Sequence, residues 1–207
     1  MQTFPNPAID TTIQGVHLRF QTEPGLFSPQ GVDEGTASLL ANIQFHENDK
    51  VLDLGCGYGV IGIYAAKRLD PKQVFLVDND RAAVECAARN AKMNGVESIH
   101  VQCSDGFRGL NEKNFTKILC NPPYHADFSV AKHFIEKGFN RLVVGGSLWM
   151  VTKREDWYRN KLKSIFGGVR VTRQNAYFVF EAIKKTDTYA SVRSQSLSPG
   201  SGRSPAG

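Results

Sequence analysis

From residue 51 the chain alternates short apolar runs with stretches of helical spacing, and this alternation restricts the fold more than any other feature. The runs are VLDL, VFLVD, IHVQC, KILC and SLWMVT. Between them stand VIGIYAAKRL, the segment from Arg81 to Met93 with Val84, Ala87, Ala88 and Ala91 on one side, and a segment marked by Val130, Phe134 and Phe139 that Gly145 and Gly146 would end. Apolar runs separated by helices predict a parallel sheet, because parallel strands need crossover connections and those connections cover both faces. Tyr158, Leu162, Ile165 and Phe166 mark another helix. GVRVT and AYFVFEAI, joined by RQN, read as an antiparallel pair at the sheet edge. The expected class is α/β: a doubly wound, Rossmann-like, mostly parallel sheet with an antiparallel end.

Ahead of this unit, the alternation Val16-His17-Leu18-Arg19-Phe20 predicts a strand, and EPG predicts a turn before Leu26 and Phe27. A small hairpin packed on the main unit is expected. Asp33 stands where a helix carrying Ala37, Leu40 and Ile43 needs its N-cap. Residues 186–207 are rich in Ser, Gly and Pro, cannot build a core, and are expected to be disordered. The division is a lead with a hairpin over 1–30, a main domain over 31–185, and a tail over 186–207. The runs are too short to span a bilayer, which takes about 18 apolar residues. The first residues lack the basic-then-apolar pattern of a secretory signal. Cys56, Cys86, Cys103 and Cys120 lack the spacing of a zinc site and read as reduced thiols. A cytoplasmic setting with no resident metal and no membrane partner is expected.

Net charge is +5 and the isoelectric point about 9.0, which suits a nucleic-acid partner. The basic residues Lys153, Arg154, Arg159, Lys161, Lys163, Arg170, Arg173, Lys184 and Lys185 crowd the C-terminal third. They form either a solvated helix face or a patch that meets phosphates.

VLDL runs into glycines at 55, 57, 59 and 62. Glycine lets the backbone turn tightly and approach a ligand. GYGVIG satisfies the dinucleotide fingerprint, and Asp78 ends the next strand, where a carboxylate can accept from ribose hydroxyls. Those features fit NAD as well as any other adenosine cofactor. Asp53 and Gly55 extend the loop to D-x-G-x-G-x-G. A carboxylate at a strand tip suits a cofactor with a cationic end and no pyrophosphate. S-adenosyl-L-methionine, with its sulfonium and ammonium, is such a cofactor. Asp105 follows the third strand and is placed to accept from an adenine amino group, although SDG is also ordinary turn chemistry. The expected cofactor contacts here are Asp53, Gly55, Cys56, Gly57, Gly59, Asp78, Asn79, Ser104 and Asp105, with Tyr58 and Cys56 shaping the loop.

The fourth run ends in NPPYH, residues 121 to 125. Ligands of open α/β sheets bind beyond the carboxyl ends of the strands, so Asp53, Asp78, Asp105 and Asn121 should share one rim. An exocyclic base amine is a poor nucleophile, because its lone pair is delocalised into the ring. The carbonyls of Asn121 and Pro122 can each accept one N–H and aim that lone pair at a methyl group. Pro122 and Pro123 stiffen the carbonyl direction, which is catalysis by position. Tyr124 offers a ring on which a base can stack. His125 either contacts substrate or caps the next helix.

VLDLGCGYGVIGI, Asp78, Asp105 and NPPYH together resemble a class I S-adenosylmethionine-dependent methyltransferase with an amine-methylation motif. GLFSPQGVDEGTASLL resembles the segment before the glycine loop in the small-domain family that contains ribosomal small-subunit guanine-N2 methyltransferases. Its family positions here are Phe27, Ser28, Gly31, Asp33, Gly35 and Thr36, and the resemblance spans about residues 12 to 184. It implies a seven-stranded sheet with an antiparallel last strand, and it adds Asp33, Thr36 and Asn121 to the cofactor side. It also implies an RNA substrate, most readily ribosomal, methylated at guanine N2. Well-known ribosomal members carry a second, degenerate copy of the domain ahead of the catalytic one, where this chain has residues 1–30. A tRNA adenine-N6 methyltransferase, a protein-glutamine methyltransferase and a non-catalytic RNA-binding module remain the alternatives. Monomer and homodimer are both open.

Overall fold

The computed structural model describes residues 8–26, 28–122 and 128–190. The expectations placed on Phe27, Pro123, Tyr124, His125 and residues 191–207 lie outside the described residues. The chain runs β1 (Ile9–Ile13), β2 (Val16–Phe20), α1 (Glu34–Asn42), β3 (Val51–Leu54), α2 (Val60–Ala66), β4 (Val74–Asp78), α3 (Arg81–Met93) and β5 (His100–Cys103). It continues with β6 (Phe115–Cys120), α4 (Phe128–Arg141), β7 (Leu142–Thr152), α5 (Glu155–Phe166), β8 (Arg170–Gln174) and β9 (Tyr177–Ile183). The main sheet has seven strands in the order β5-β4-β3-β6-β7-β9-β8. All neighbours up to β7 are parallel, and β9 runs antiparallel between β7 and β8. The order reverses between β3 and β6, and that switch point opens the crevice in which such sheets hold ligands. No helix among the described residues is long and apolar enough to cross a membrane.

Alternation along β3 sends Val51 into one core, with α1, α2 and α3, and Leu52 and Leu54 into the other, with α4 and α5. The hairpin β1–β2 joins the first of these cores, since Leu18 and Phe20 are fully buried there. Its outer edge is satisfied by side chains. Asn90 Oδ1 accepts the Gln21 N–H at 2.8 Å and Nδ2 donates to the Gln21 carbonyl at 2.9 Å. Asn94, one turn later at the C-cap of α3, repeats this with Arg19 at 3.0 and 2.7 Å. Two amides on a helix thus stand in for a neighbouring strand.

Several boundaries differ from expectation. The inner face of α3 is Ala83, Cys86, Ala87, Asn90 and Ala91, while Ala88 is exposed. Alanine patterning is a weak guide, and the polar Asn90 is what the buried face uses. On α1 the buried residues are Gly35, Thr36, Ser38, Leu39 and Leu40, and Ala37 faces outward. Gly145 and Gly146 do not end α4, which stops at Arg141; they lie inside β7 where its register against β6 shifts. A β-carbon at Gly146 would stand 3.0 Å from the Phe115 carbonyl, so the close strand approach requires glycine. The first residues of the expected tail pack instead of dangling. Tyr189 meets Phe139 edge-on at 4.9 Å and donates to the Glu136 carbonyl at 3.0 Å.

Helix α2 lies unusually close to β4. A β-carbon on Gly62 would stand 2.4 Å from Leu76 Cδ1. In an exposed helix Gly→Ala stabilises by about 1 kcal/mol, but here the overlap dominates. Gly62→Ala is expected to destabilise by about 1–3 kcal/mol, read as a lower urea midpoint at unchanged slope.

Candidate active site

β3 must reverse into α2 within a few residues while its backbone N–H groups find partners away from water. Gly55, Gly57 and Gly59 have φ values of 77, 53 and 97°, the left-handed region open to glycine. Gly55 and Cys56 N–H donate to the Val77 carbonyl at 2.9 and 3.0 Å, and Gly59 N–H donates to the Cys56 carbonyl at 2.9 Å. Gly57 N–H donates to Asp78 Oδ2 at 2.8 Å. Asp78 Oδ1 accepts the Asp80 N–H at 3.0 Å, so one carboxylate braces both the loop and the start of α3. Asn90 Nδ2 donates to the Tyr58 carbonyl at 2.9 Å. The Tyr58 hydroxyl donates to the Gly31 carbonyl at 3.0 Å, and burial pushes its phenol well up. Tyr58 therefore shapes the loop by tying it to the segment before α1.

Above this loop lies a cavity of about 460 Å³. Gly55, Cys56, Gly57, Asp78, Asn79, Ser104 and Asp105 line it on the β3–β4–β5 side. Asp33, Thr36, Asn121 and Pro122 line it on the other. A β-carbon on Gly55 or Gly57 would meet nothing within 4 Å, so a side chain there would take up cavity space. Gly59 differs: it faces Ile63, Ala87 and Leu76 and serves the packing of α2. Ser104 turns its hydroxyl into its own loop, onto the Gly106 carbonyl at 2.9 Å. Asp105 pairs with Arg108 at 2.9 Å with both side chains largely exposed.

Asp53 is placed differently from expectation. It is fully buried and is not part of the cavity wall. Strand alternation turns position 53 under α2, where Oδ2 accepts the Gly62 N–H at 2.8 Å and Oδ1 has no partner among the described residues. Burial pushes the carboxyl up to about 7; the Gly62 bond opposes this and the Asp78 charge adds to it.

Asn121 gains an orientation that its sequence position did not reveal. Its Nδ2 donates to Asp33 Oδ2 at 2.8 Å and to Thr36 Oγ1 at 3.0 Å. A carboxylate oxygen only accepts, so the nitrogen end of the amide must face it, and the carbonyl end faces the other way. Asp33 Oδ2 also accepts the Thr36 N–H at 3.0 Å as the N-cap of α1. Asp33 and Thr36 thus line the cavity while holding Asn121. Val130 and Phe134, read from spacing as marks of a helix, line the cavity as well. Their spacing reports only that one helix face is apolar, which a cavity wall and a core share.

The glycine loop resembles a dinucleotide site, but its chemistry is different. In such a site loop N–H groups face a pyrophosphate. Here those of Gly55, Cys56, Gly57 and Gly59 are already bonded within the protein. Among the described residues the wall carries Asp33, Asp78, Asp80 and Asp105 and neither Lys nor Arg. An acidic wall fits a ligand with ribose hydroxyls and a cationic end.

The pH dependence of Asp53 is testable. Its raised folded-state value means that the folded state holds the proton more tightly than the unfolded chain. Its contribution to stability is full below the ordinary 3.8 and is lost as pH rises towards about 7. Asp53→Asn keeps an acceptor for Gly62 and cannot ionise. Urea melts should show the variant gaining on the parent as pH rises through that window, with no further gain above it.

Comparison with known proteins matches residues 17–181 to the methyltransferase small domain. Ribosomal RNA large subunit methyltransferase G of Aeromonas hydrophila is 32% identical over 181 residues, covering 84% of this chain and 48% of that protein. Ribosomal RNA small subunit methyltransferase C of Hahella chejuensis is 37% identical over 172 residues, covering 81% and 50%. The chain therefore spans about half the length of these relatives. A 16S rRNA N2 methyltransferase from Thermus thermophilus, solved with AdoMet and guanosine, superposes with a TM-score of 0.75 at 27% identity, over 86% of this chain and 50% of that one.

Proposed function

The chain belongs to the methyltransferase small domain family, and from that membership we propose that it transfers a methyl group from S-adenosyl-L-methionine to N2 of a guanine in ribosomal RNA. The observation that carries the reading is the Asp33–Thr36–Asn121 cluster at the cavity wall. It turns the nitrogen end of the Asn121 amide to Asp33 and Thr36, which supports its carbonyl as the end that would accept from an amine. The names of the relatives supply ribosomal RNA as the substrate class.

When bound, S-adenosyl-L-methionine supplies an electrophilic methyl group on its sulfonium. Asp78 would accept from the ribose hydroxyls at the tip of β4, and Asp105 from the adenine amine. The backbone of Gly55 and Gly57 would lie along the methionine portion, where a side chain would intrude. Asn121 Oδ1 and the Pro122 carbonyl would each accept one hydrogen of the guanine amine. That pairing favours a pyramidal nitrogen and directs its lone pair along the transfer line. Asn121 is neutral and takes no proton, so the proton of the methylated amine passes to solvent. Pro123 and Tyr124 complete this reading, the first by stiffening the turn and the second by stacking the base.

Incubating the protein with tritiated S-adenosyl-L-methionine and ribosomal RNA from cells that lack it, followed by nucleoside mass spectrometry, tests the assignment. N2-methylguanosine is expected. N6-methyladenosine would move the target to adenine, and no product from any RNA would end the proposal. Asn121→Ala should lower kcat by about 100-fold or more while S-adenosylhomocysteine affinity, read by calorimetry, stays within a few-fold, because the bond its Oδ1 would accept forms with the acceptor amine. Asp78→Ala should do the reverse and weaken cofactor affinity first. An unchanged dissociation constant in that variant would remove the ribose assignment.

A further inference from the structure

The carboxyl rim of the sheet is divided by charge. The tips of β4 and β5 lead into Asp78, Asp80 and Asp105 on the cavity wall. The tips of β7 and β8 carry Lys153, Arg154 and Arg173 instead, with the start of β9 between them. The fold sorts the C-terminal cations into two groups. Arg159 pairs with Glu155, Lys161 with Glu136, and Arg170 with Glu181. Lys184 is buried and donates to the Leu142 carbonyl at 2.9 Å. Arg154 and Arg173 form no ion pair among the described residues; each lies at an aromatic ring, 5.2 Å from Phe128 and 5.8 Å from Phe178. Lys153 lies 4.9 Å from the Tyr177 ring.

Strand register sets their position. Cys120 pairs with Met150, so continuing the parallel strands brings Pro122 level with Thr152. Arg154 N–H donates to Thr152 Oγ1 at 3.2 Å, which folds the chain back onto the residue level with Pro122. Thr152, Phe178 and Arg173 form one row across β7, β9 and β8, so Arg173 lies about 10 Å along the rim at roughly 4.8 Å per strand. Phe128 stacks on Trp157 at 4.4 Å and 22°, and is itself 37% exposed. Guanidinium groups held at rings keep their fork ordered and are weakly hydrated, which suits phosphate contact. The exposed Phe128 beside Arg154 suits the flat face of a base. An acidic peptide would use the cations and leave the aromatic pair idle; single-stranded RNA uses both.

We propose that the β7–β9–β8 half of the rim is the docking surface for single-stranded RNA flanking the target nucleotide, with phosphates on Arg154 and Arg173 and a base on the Phe128–Trp157 pair. This rests on the RNA-methylation reading above. The cofactor and the RNA then approach from opposite halves of the rim, each facing charge of the opposite sign, and meet at Asn121. Asp156, exposed on the first turn of α5, weakens the positive field there, and its removal makes a test of opposite sign.

The experiment is fluorescence anisotropy of the full chain with a short, labelled, guanine-containing single-stranded RNA across a series of salt concentrations. At about 0.7 per single-strand phosphate contact, the Arg154→Ala/Arg173→Ala double variant should lower the salt slope by about 1.4 and weaken binding roughly 25-fold at 0.1 M salt. Phe128→Ala should weaken binding about tenfold with the slope unchanged. Asp156→Asn should tighten it, and Lys163→Ala, at the far end of α5, should leave it as in the parent. Thermal melts confirm folding, and calorimetry with S-adenosylhomocysteine should give parent affinity in every variant. Parent-like RNA binding by the double arginine variant, equal loss in Lys163→Ala, or displacement of the RNA by polyglutamate at equal charge overturns the docking surface. Failure of S-adenosylhomocysteine to bind the parent protein overturns the methyl-transfer reading instead, whatever the RNA does.

Discussion

The site depends on how β3 reverses into α2. Gly55, Gly57 and Gly59 give the backbone freedom to turn, but freedom alone leaves polar N–H groups unpaired, which costs about 1–3 kcal/mol each when they are buried. The partners come from elsewhere in the chain. The Val77 carbonyl and the Asp78 carboxylate on β4 take the N–H groups of the loop itself, and the buried Asp53 takes that of Gly62 in α2. The loop is therefore held by its neighbouring strand before any ligand arrives. That is also why it differs from a dinucleotide loop: the donors that would meet a pyrophosphate are already engaged.

The second constraint is one carboxylate oxygen with two duties. Asp33 Oδ2 caps α1 and fixes the nitrogen end of Asn121. Helix start and the orientation of the Asn121 amide are thereby coupled, so the segment before the sheet becomes part of the cavity wall. The same segment is fastened to the glycine loop through Tyr58 and Gly31, and β2 is fastened to α3 through Asn90 and Asn94. A lead that looks peripheral in sequence is thus bonded to both halves of the site.

Charge follows the same two-sided plan. Acidic residues line the half of the rim that would face a sulfonium, an ammonium and ribose hydroxyls. Cations at aromatic rings occupy the half that would face RNA. Net charge alone gives no hint of this division, because Glu136, Glu155 and Glu181 neutralise part of the basic cluster locally.

Local rules were enough to read off the α/β class, the parallel sheet with its antiparallel end, the glycine turn, and the rim that joins Asp78, Asp105 and Asn121. Each of these follows from short-range rules: apolar periodicity, glycine conformational freedom, and the placement of loops at strand ends. Tertiary structure decided the rest, because it depends on pairs far apart in the chain. It turned Asp53 under α2 and away from the cavity, made Asn90 a core residue, and placed Gly145 and Gly146 in a strand. It set Val130 and Phe134 at the cavity wall, since one apolar helix face looks the same over a core or a cleft. It also chose which arginines stay available, since an ion pair between Arg170 and Glu181 forms only once β8 and β9 are in register. Asn121 shows the boundary well. Its place after a core strand was legible from four letters, but the direction of its amide was settled only when Asp33, 88 residues away, folded against it.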